Sequence, residues 1–185
     1  MNKKIITLGI LILALGRVFA GDLELMEKLS NKKLIHLKNN KLMLASNITV
    51  AEYMEFANYY ITKFGENSYQ AKLVKPSKEI LKANASNNQA IVGINHMQAT
   101  QYCNWLLEET NMKLKKYKEQ NPSEVKARIY MIRLPNADEL KELETIAMNE
   151  MTVKVGSAIG TDKKEVKYTV PQEKLSFRIV IEPKQ

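Results

Sequence analysis

Apolar positions along the chain alternate between a period of two and a period near four, and each change of period marks an element. Lys33–Lys38 and Lys41–Ala45 alternate as strands and meet at Asn39-Asn40. Asparagine tolerates the positive backbone angles of a tight reversal, so this pair predicts a hairpin. Spacings of three and four follow. Tyr53, Phe56, Ala57, Tyr60 and Phe64 share one helical face, opened by Thr49 with Glu52 as its box partner and closed by Gly65, while Ile48 stands where a staple to Tyr53 forms. Residues 66–89 show little periodicity and read as a surface excursion, with a turn or two of helix at Lys78–Ala83.

Ala90–Ile94 is a short apolar run that fits a buried strand, and Asn95 with Gln98 forms a second capping box. In the helix that follows, Ala99, Tyr102, Cys103, Leu106 and Thr110, continued by Met112 to Leu114 and Tyr117, mark a buried face; Gln101, Asn104, Glu108 and Lys115 mark the wet one. After a breaker at Glu119–Ser123, Arg128–Leu134 alternates as a strand. Asn136 and Glu139 then make a third box before Leu140, Leu143 and Ile146. Met151–Val155 and Val166–Val170 are short alternating runs, and Leu175–Ile181 is the last predicted strand. Three main helices and some six strands predict a single mixed α+β domain with antiparallel hairpins at both ends.

A length of 185 residues suits one such domain. The start of the chain stands apart from it. Met1–Lys4 is basic, Ile5–Gly16 is apolar and Val18-Phe19-Ala20 offers small groups before a cleavage point, the pattern of a secretory signal peptide removed after Ala20. The apolar run of about a dozen residues is short of the roughly 20 that cross a bilayer, and no cysteine follows it to take a lipid. The expected division is 1–20 signal peptide, 21–31 leader (a short fastening helix or a loose segment) and 32–185 domain, with the mature protein periplasmic or secreted and without a membrane span. Cleavage removes Lys3, Lys4 and Arg17 and no acid, taking the formal charge from +8 to +5.

That mild excess of cations argues against a nucleic-acid partner. Lys113, Lys115, Lys116 and Lys118 gather at one helix end, where cations suit the negative pole of the dipole, but Glu108, Glu109 and Glu119 break the run and no recognition motif accompanies it. Cys103 is the only cysteine, so no disulfide forms within the chain, and its place on the apolar face predicts a small buried hydrophobe. His36 and His96 are the only histidines, too few for the three or four ligands of an ordinary protein metal site. Asp162 and Glu165 fall short of the oxygens that calcium collects. No cofactor or metal is expected.

Four stretches carry a resemblance. The run Ala90–Leu106 (AIVGINHMQATQYCNWL) is similar to the central segment of the formylglycine-generating enzyme family, also called the sulfatase-modifying factor family. Ile48-Thr49-Val50-Ala51-Glu52-Tyr53, with Phe56, resembles its early Val-Thr-Asn-x-x-Tyr-x-x-Phe signature. Ile132–Leu140 resembles its Tyr-Arg-Leu-Pro-Thr-Glu-Ala-Glu-Trp, with Asn136 for Thr and Leu140 for Trp, and Ser176–Val180 resembles its closing Gly-Phe-Arg-Val-Val strand. The resemblance spans most of Leu42–Ile181 and implies a C-type-lectin-like fold.

The resemblance also frames the chemistry. Formylglycine-generating members hold copper through two cysteines near the carboxyl end, a soft pair suited to a soft metal. Here the segment Glu144–Phe177 contains no cysteine and is far shorter than the corresponding stretch of the enzymes. The related iron oxygenases take additional histidines; here only His36 and His96 with Asp138 or Glu139 stand available, and the two acids fit a first helical turn without a metal. No nucleophile-elbow or HExxH motif is present. Asn95, His96 and Trp105 are candidate ligand or surface contacts. Thr49, Tyr53, Tyr102, Cys103, Arg133 and Phe177 are assigned structural roles, Arg133 by pairing with a carboxylate. The expected function is a non-catalytic exported envelope protein that binds another protein or a glycan or serves in an envelope assembly. The alternative is a formylglycine-generating or related oxidoreductase acting on a protein cysteine.

Overall fold

A computed structural model describes residues 25–28, 32–84, 86–122, 130–150, 158–159 and 176–183. The expected signal peptide and the expected strands Met151–Val155 and Val166–Val170 lie outside the described residues. Strands β1 (Leu34–Leu37) and β2 (Lys41–Leu44) form the amino-terminal hairpin, in register from Leu34↔Leu44 to Leu37↔Lys41. Asn39 and Asn40 both take φ of 59° in the turn, the left-handed conformation for which asparagine was singled out.

Helix α1 (Val50–Phe64) follows from the Thr49–Glu52 box and stops at Gly65, whose φ of 85° lets its N–H return to the Ile61 carbonyl at 2.9 Å. Two short helices, α2 (Tyr69–Val74) and α3 (Lys78–Ala83), lead to α4 (His96–Gln120), a helix of 25 residues. Then come β3 (Tyr130–Arg133), α5 (Ala137–Glu150), β4 (Ala158–Ile159), β5 (Ser176–Phe177) and β6 (Val180–Pro183). The sheet order is β1-β2-β6-β3, with antiparallel neighbours throughout, while β4 and β5 form a separate parallel pair.

Strand parity divides this sheet into two faces. Leu34, Leu42, Leu44, Ile132 and Ile181 point to one, where they join Tyr53 and Phe56 of α1 and Ala99, Tyr102 and Trp105 of α4 in the larger core. Ile35, Leu37, Met43 and Val180 point to the other and pack with Leu143 of α5. The result is a mixed α+β domain with helices on both faces of an antiparallel sheet. Met26, in the helical turn 25–28, is 1% exposed and belongs to the larger core.

The structure corrects several expectations. Ala90–Ile94 is extended but not a strand: it makes one isolated bridge, Thr49↔Ala90, and Gly93, at φ 83°, turns the backbone into the α4 cap. A Cβ on Gly93 would sit 3.1 Å from Ile80 Cγ1, so the turn also brings backbone hard against α3. Residues 66–89 run over the surface as expected, with the expected helix at Lys78–Ala83, but the excursion is anchored. Ala71, Val74 and Ile80 are buried, Tyr53 Oη donates to the Val74 carbonyl at 2.9 Å, and the Asn84 side chain ties α3 to Val92 through bonds of 3.0 and 3.1 Å. The last predicted strand is interrupted at Arg178 and Ile179. Arg178 is 1% exposed and donates to Asn47 Oδ1 and the Ala45 carbonyl, both at 2.8 Å, which diverts the chain between β5 and β6. Two apolar positions assigned to buried helical faces lie at the surface, Phe64 at 42% and Met112 at 50% exposure.

Candidate functional site

The two helices on the larger-core face come together along complementary stripes. On α1, Glu52, Glu55, Tyr59 and Thr62 recur every three or four residues; on α4, Trp105, Glu109 and Lys113 recur every four. Between the stripes lies a cleft in two parts. The inner part has a volume of about 90 Å³, with Leu44, Ile132 and Ile181 of the sheet in its lining; the outer part, about 440 Å³, is bounded by Asn58, Tyr59, Thr62 and Lys63. Glu55, Trp105 and Glu109 line both parts.

Trp105 is the centre of this arrangement. Its ring lies 5.6 Å from Phe56, 5.4 Å from Tyr102 and 6.3 Å from Tyr59, so the indole is packed into an aromatic cluster and only 7% exposed. Its Nε1–H has no acceptor, one of two such buried polar atoms among the described residues, the other being Ser176 Oγ. The charges around it differ in their partners. Glu52 is held by Lys32 at 2.6 Å and closes the Thr49 box, its Oε2 accepting from the Thr49 N–H at 2.8 Å. Glu55 and Glu109 have no ion pair among the described residues. Lys63 Nζ donates to Tyr59 Oη at 2.9 Å and lies 5.1 Å from the centre of the Tyr59 ring.

The other candidate contacts lie away from the cleft. Asn95 is buried, its Oδ1 accepting from the Gln98 N–H at 2.8 Å while Gln98 Oε1 accepts from the Asn95 N–H at 3.1 Å. His96 opens α4 with Nδ1 3.4 Å from Thr100 Oγ1. The residues assigned structural roles are packed or bonded: Tyr53, Tyr102 and Phe177 touch one another in the core, with Tyr53 and Tyr102 stacked at 6.1 Å. Burial raises both phenols above their ordinary range, so they remain neutral. Cys103 is 2% exposed, and burial pushes its thiol up to about 12. Glu55, Tyr59 and Glu109 were not among the residues singled out by sequence. The signal that carries them is their helical spacing from Glu52 and Trp105.

A second polar cluster occupies the opposite face of the sheet. Arg133 makes two bonds to Glu139, at 2.7 and 2.8 Å, and two to Glu182, at 2.9 and 3.0 Å; Lys41 reaches Glu139 at 2.7 Å. Glu139 also closes the third capping box with Asn136 through two bonds of 2.9 Å. Burial works to raise the Glu139 carboxyl, but the bonds from Arg133, Lys41 and the Asn136 backbone outweigh it and bring it down to about 2. The hydrogen bond to Arg133 likewise lowers Glu182, and the bond to Glu139 raises Lys41. Every charge here has its counter-charge, so the cluster is a clasp between α5, β2, β3 and β6.

No protein-family model, curated protein or solved structure matches the chain. Among the described residues, no group of three or more His, Cys, Asp or Glu is placed to hold a metal ion, and no helix is long and apolar enough to cross a membrane.

Proposed function

We propose that the chain is an exported, non-catalytic binding domain of sulfatase-modifying-factor type, with a C-type-lectin-like arrangement, that holds an envelope protein or glycan in the cleft between α1 and α4. The observation that carries the binding role is the cleft itself: an apolar floor, a packed aromatic wall and a mixed rim of Glu52, Glu55 and Glu109 with Lys32, Lys63 and Lys113. Clefts with mostly apolar linings and a few placed polar groups are the usual form of binding sites. The family reading is supported by convergence of the four resembling stretches. Tyr53, Tyr102, Ile132 and Phe177, one from each, lie in a single core.

The non-catalytic reading is supported by the single thiol. A group pushed up to about 12 is almost wholly protonated at neutral pH, and a copper site of the family's type needs two thiolates. The test has two arms. Anaerobic copper(I) titration should give no tight one-to-one site, and a cysteine-containing sulfatase peptide incubated with protein and oxygen should keep its thiol by mass spectrometry; conversion to the aldehyde would install the enzyme reading instead. A photoreactive amino acid at Asn58, on the cleft wall, should crosslink an envelope component, whereas the same group at exposed Lys116 should not. Equal crosslinking from both positions would remove the cleft from the function. For export, intact mass of the protein recovered outside the cytoplasm should begin at Gly21.

A further inference from the structure

We propose that the tip formed by the end of α1 and the start of α2 docks on the anionic surface of a lipid bilayer. Five large hydrophobic side chains are exposed among the described residues, and two of them flank one turn: Phe64, 42% exposed, and Tyr69, 73% exposed. Exposed hydrophobics scattered singly are ordinary, but two on one preformed turn make a contact surface. The turn is bonded at both ends. Gly65 N–H returns to the Ile61 carbonyl, Ser68 N–H reaches the Gly65 carbonyl at 3.1 Å, and Ser68 Oγ caps α2 by accepting from the Ala71 N–H at 3.1 Å. Closing Gly65 on Ser68 keeps the Phe64 and Tyr69 backbones within about 15 Å of each other. Behind the turn, Ala71 and Val74 are buried and Tyr53 Oη donates to the Val74 carbonyl, so the tip needs no ordering before it binds.

Each ring has a lysine beside it. Lys63 Nζ lies 5.3 Å from the centre of the Phe64 ring, and Lys72 follows Tyr69 by three positions on α2, one turn along the same face. Both lysines are exposed. Residues 63–82 carry five lysines against Glu66 and Glu79, and Glu66 is already paired with Lys75. Acids and lysines face each other along the cleft, whereas here cations are in excess. The tip shares only Lys63 with the cleft lining, and the inference stands apart from what the cleft binds.

Exposed rings and surplus lysines together fit a partner that is anionic at one depth and apolar just below it. A bilayer interface has that layering: rings enter the boundary between headgroups and acyl chains, while ammonium groups on flexible stems stay with the phosphates. A neutral glycan would stack on Tyr69 and leave the lysines unused. A soluble polyanion would meet the lysines and leave both rings in water. The contact is peripheral, since no helix among the described residues is long and apolar enough to cross a membrane.

The experiment sediments the mature protein with vesicles of phosphatidylcholine alone or mixed with phosphatidylglycerol. Binding should require the anionic lipid and fall as salt rises. Phe64→Ser with Tyr69→Ser, and separately Lys63→Gln with Lys72→Gln, should each weaken it by about tenfold. Met131→Ser, which removes an exposed hydrophobic from β3, should leave it unchanged. Circular dichroism and urea unfolding check that each variant folds. To place the contact, Tyr69→Cys is labelled with an environment-sensitive dye, which the native thiol does not take because Cys103 is buried. Its emission should move to the blue on anionic vesicles, and the same dye on Met131→Cys should not respond. No binding to anionic vesicles, or equal binding to phosphatidylcholine alone, would overturn the inference. A folded Phe64 and Tyr69 double variant that binds like the unaltered protein would overturn it too, as would equal dye shifts at the two positions. Binding of dextran sulfate with no blue shift at position 69 on vesicles would make the partner a soluble polyanion and overturn the membrane assignment.

Discussion

The same carboxylate chemistry appears on the two faces of the central sheet and is treated in opposite ways. On the α5 face, strand register sets Lys41, Arg133 and Glu182 on one side, and the first turn of α5 delivers Glu139 between them. Charges that deep are tolerable only when paired, and all are. On the other face, Glu55 is exposed and Glu109 half-buried on two helices, and neither makes an ion pair among the described residues. The contrast separates a clasp from a site. Where the charges are locked to one another, the carboxylates hold elements together; along the cleft, Glu55 and Glu109 share the lining with Lys63 and Lys113 and make no ion pair among the described residues.

Breaking the clasp should produce the largest effect. Arg133→Met leaves Glu139, whose side chain is 6% exposed, with only Lys41, and it strips Glu182 of its close partner. Removing one member of a buried ion pair costs about 3–5 kcal/mol, so the urea midpoint should fall sharply. Acid should act next. The Glu139 carboxyl lies near 2 in the fold against 4.5 in the unfolded chain, so its contribution is fully present above pH 4.5 and is lost as pH falls toward 2. The loss is on the order of 3 kcal/mol, and Glu182, lowered for the same reason, titrates in the same direction. Urea unfolding repeated between pH 6 and pH 2 should show that slope, and Glu139→Gln should flatten it. A slope unchanged in Glu139→Gln would place the acid sensitivity elsewhere.

The clasp was partly legible in the sequence because part of it is local. Asn136 and Glu139 are three residues apart, and Arg133 precedes them by one turn of chain, so a cap and a carboxylate partner could be read directly. Glu182 could not, since only the register Arg133↔Val180 carries it to the same face. The cleft was less legible for the same physical reason. Trp105 stood out as the only tryptophan, but Glu55 and Glu109 are 54 positions apart in the sequence, and each alone looks like a solvated surface acid. Helix α2 escaped because six residues span fewer than two turns; its buried positions are Ala71 and Val74, and its Ser68 cap is a common loop residue. The Ala90–Ile94 run misled because apolar residues approaching a cap resemble a buried strand until Gly93 is seen at positive φ.

Cys103 supplies an intermediate effect inside the larger core. It sits on α4, which lies over β3, and is 2% exposed. Cys103→Ser should cost on the order of 1 kcal/mol, because a hydroxyl is harder to bury than a thiol. Modification of the folded protein by a bulky thiol reagent at the rate of free cysteine would contradict that packing.

The smallest effect belongs to the cleft. If Glu55 and Glu109 stabilised the fold as the clasp does, neutralising them would cost stability. Neither makes an ion pair among the described residues, so Glu55→Gln and Glu109→Gln should each move chemical unfolding by less than about 0.5 kcal/mol. A loss of more than about 1 kcal/mol in either single variant would mean that its carboxylate has a structural partner, and the cleft would then be a second clasp rather than a place for a ligand. Stability that holds in the variant with both substitutions while crosslinking from Asn58 falls would divide the two faces by function as well as by geometry.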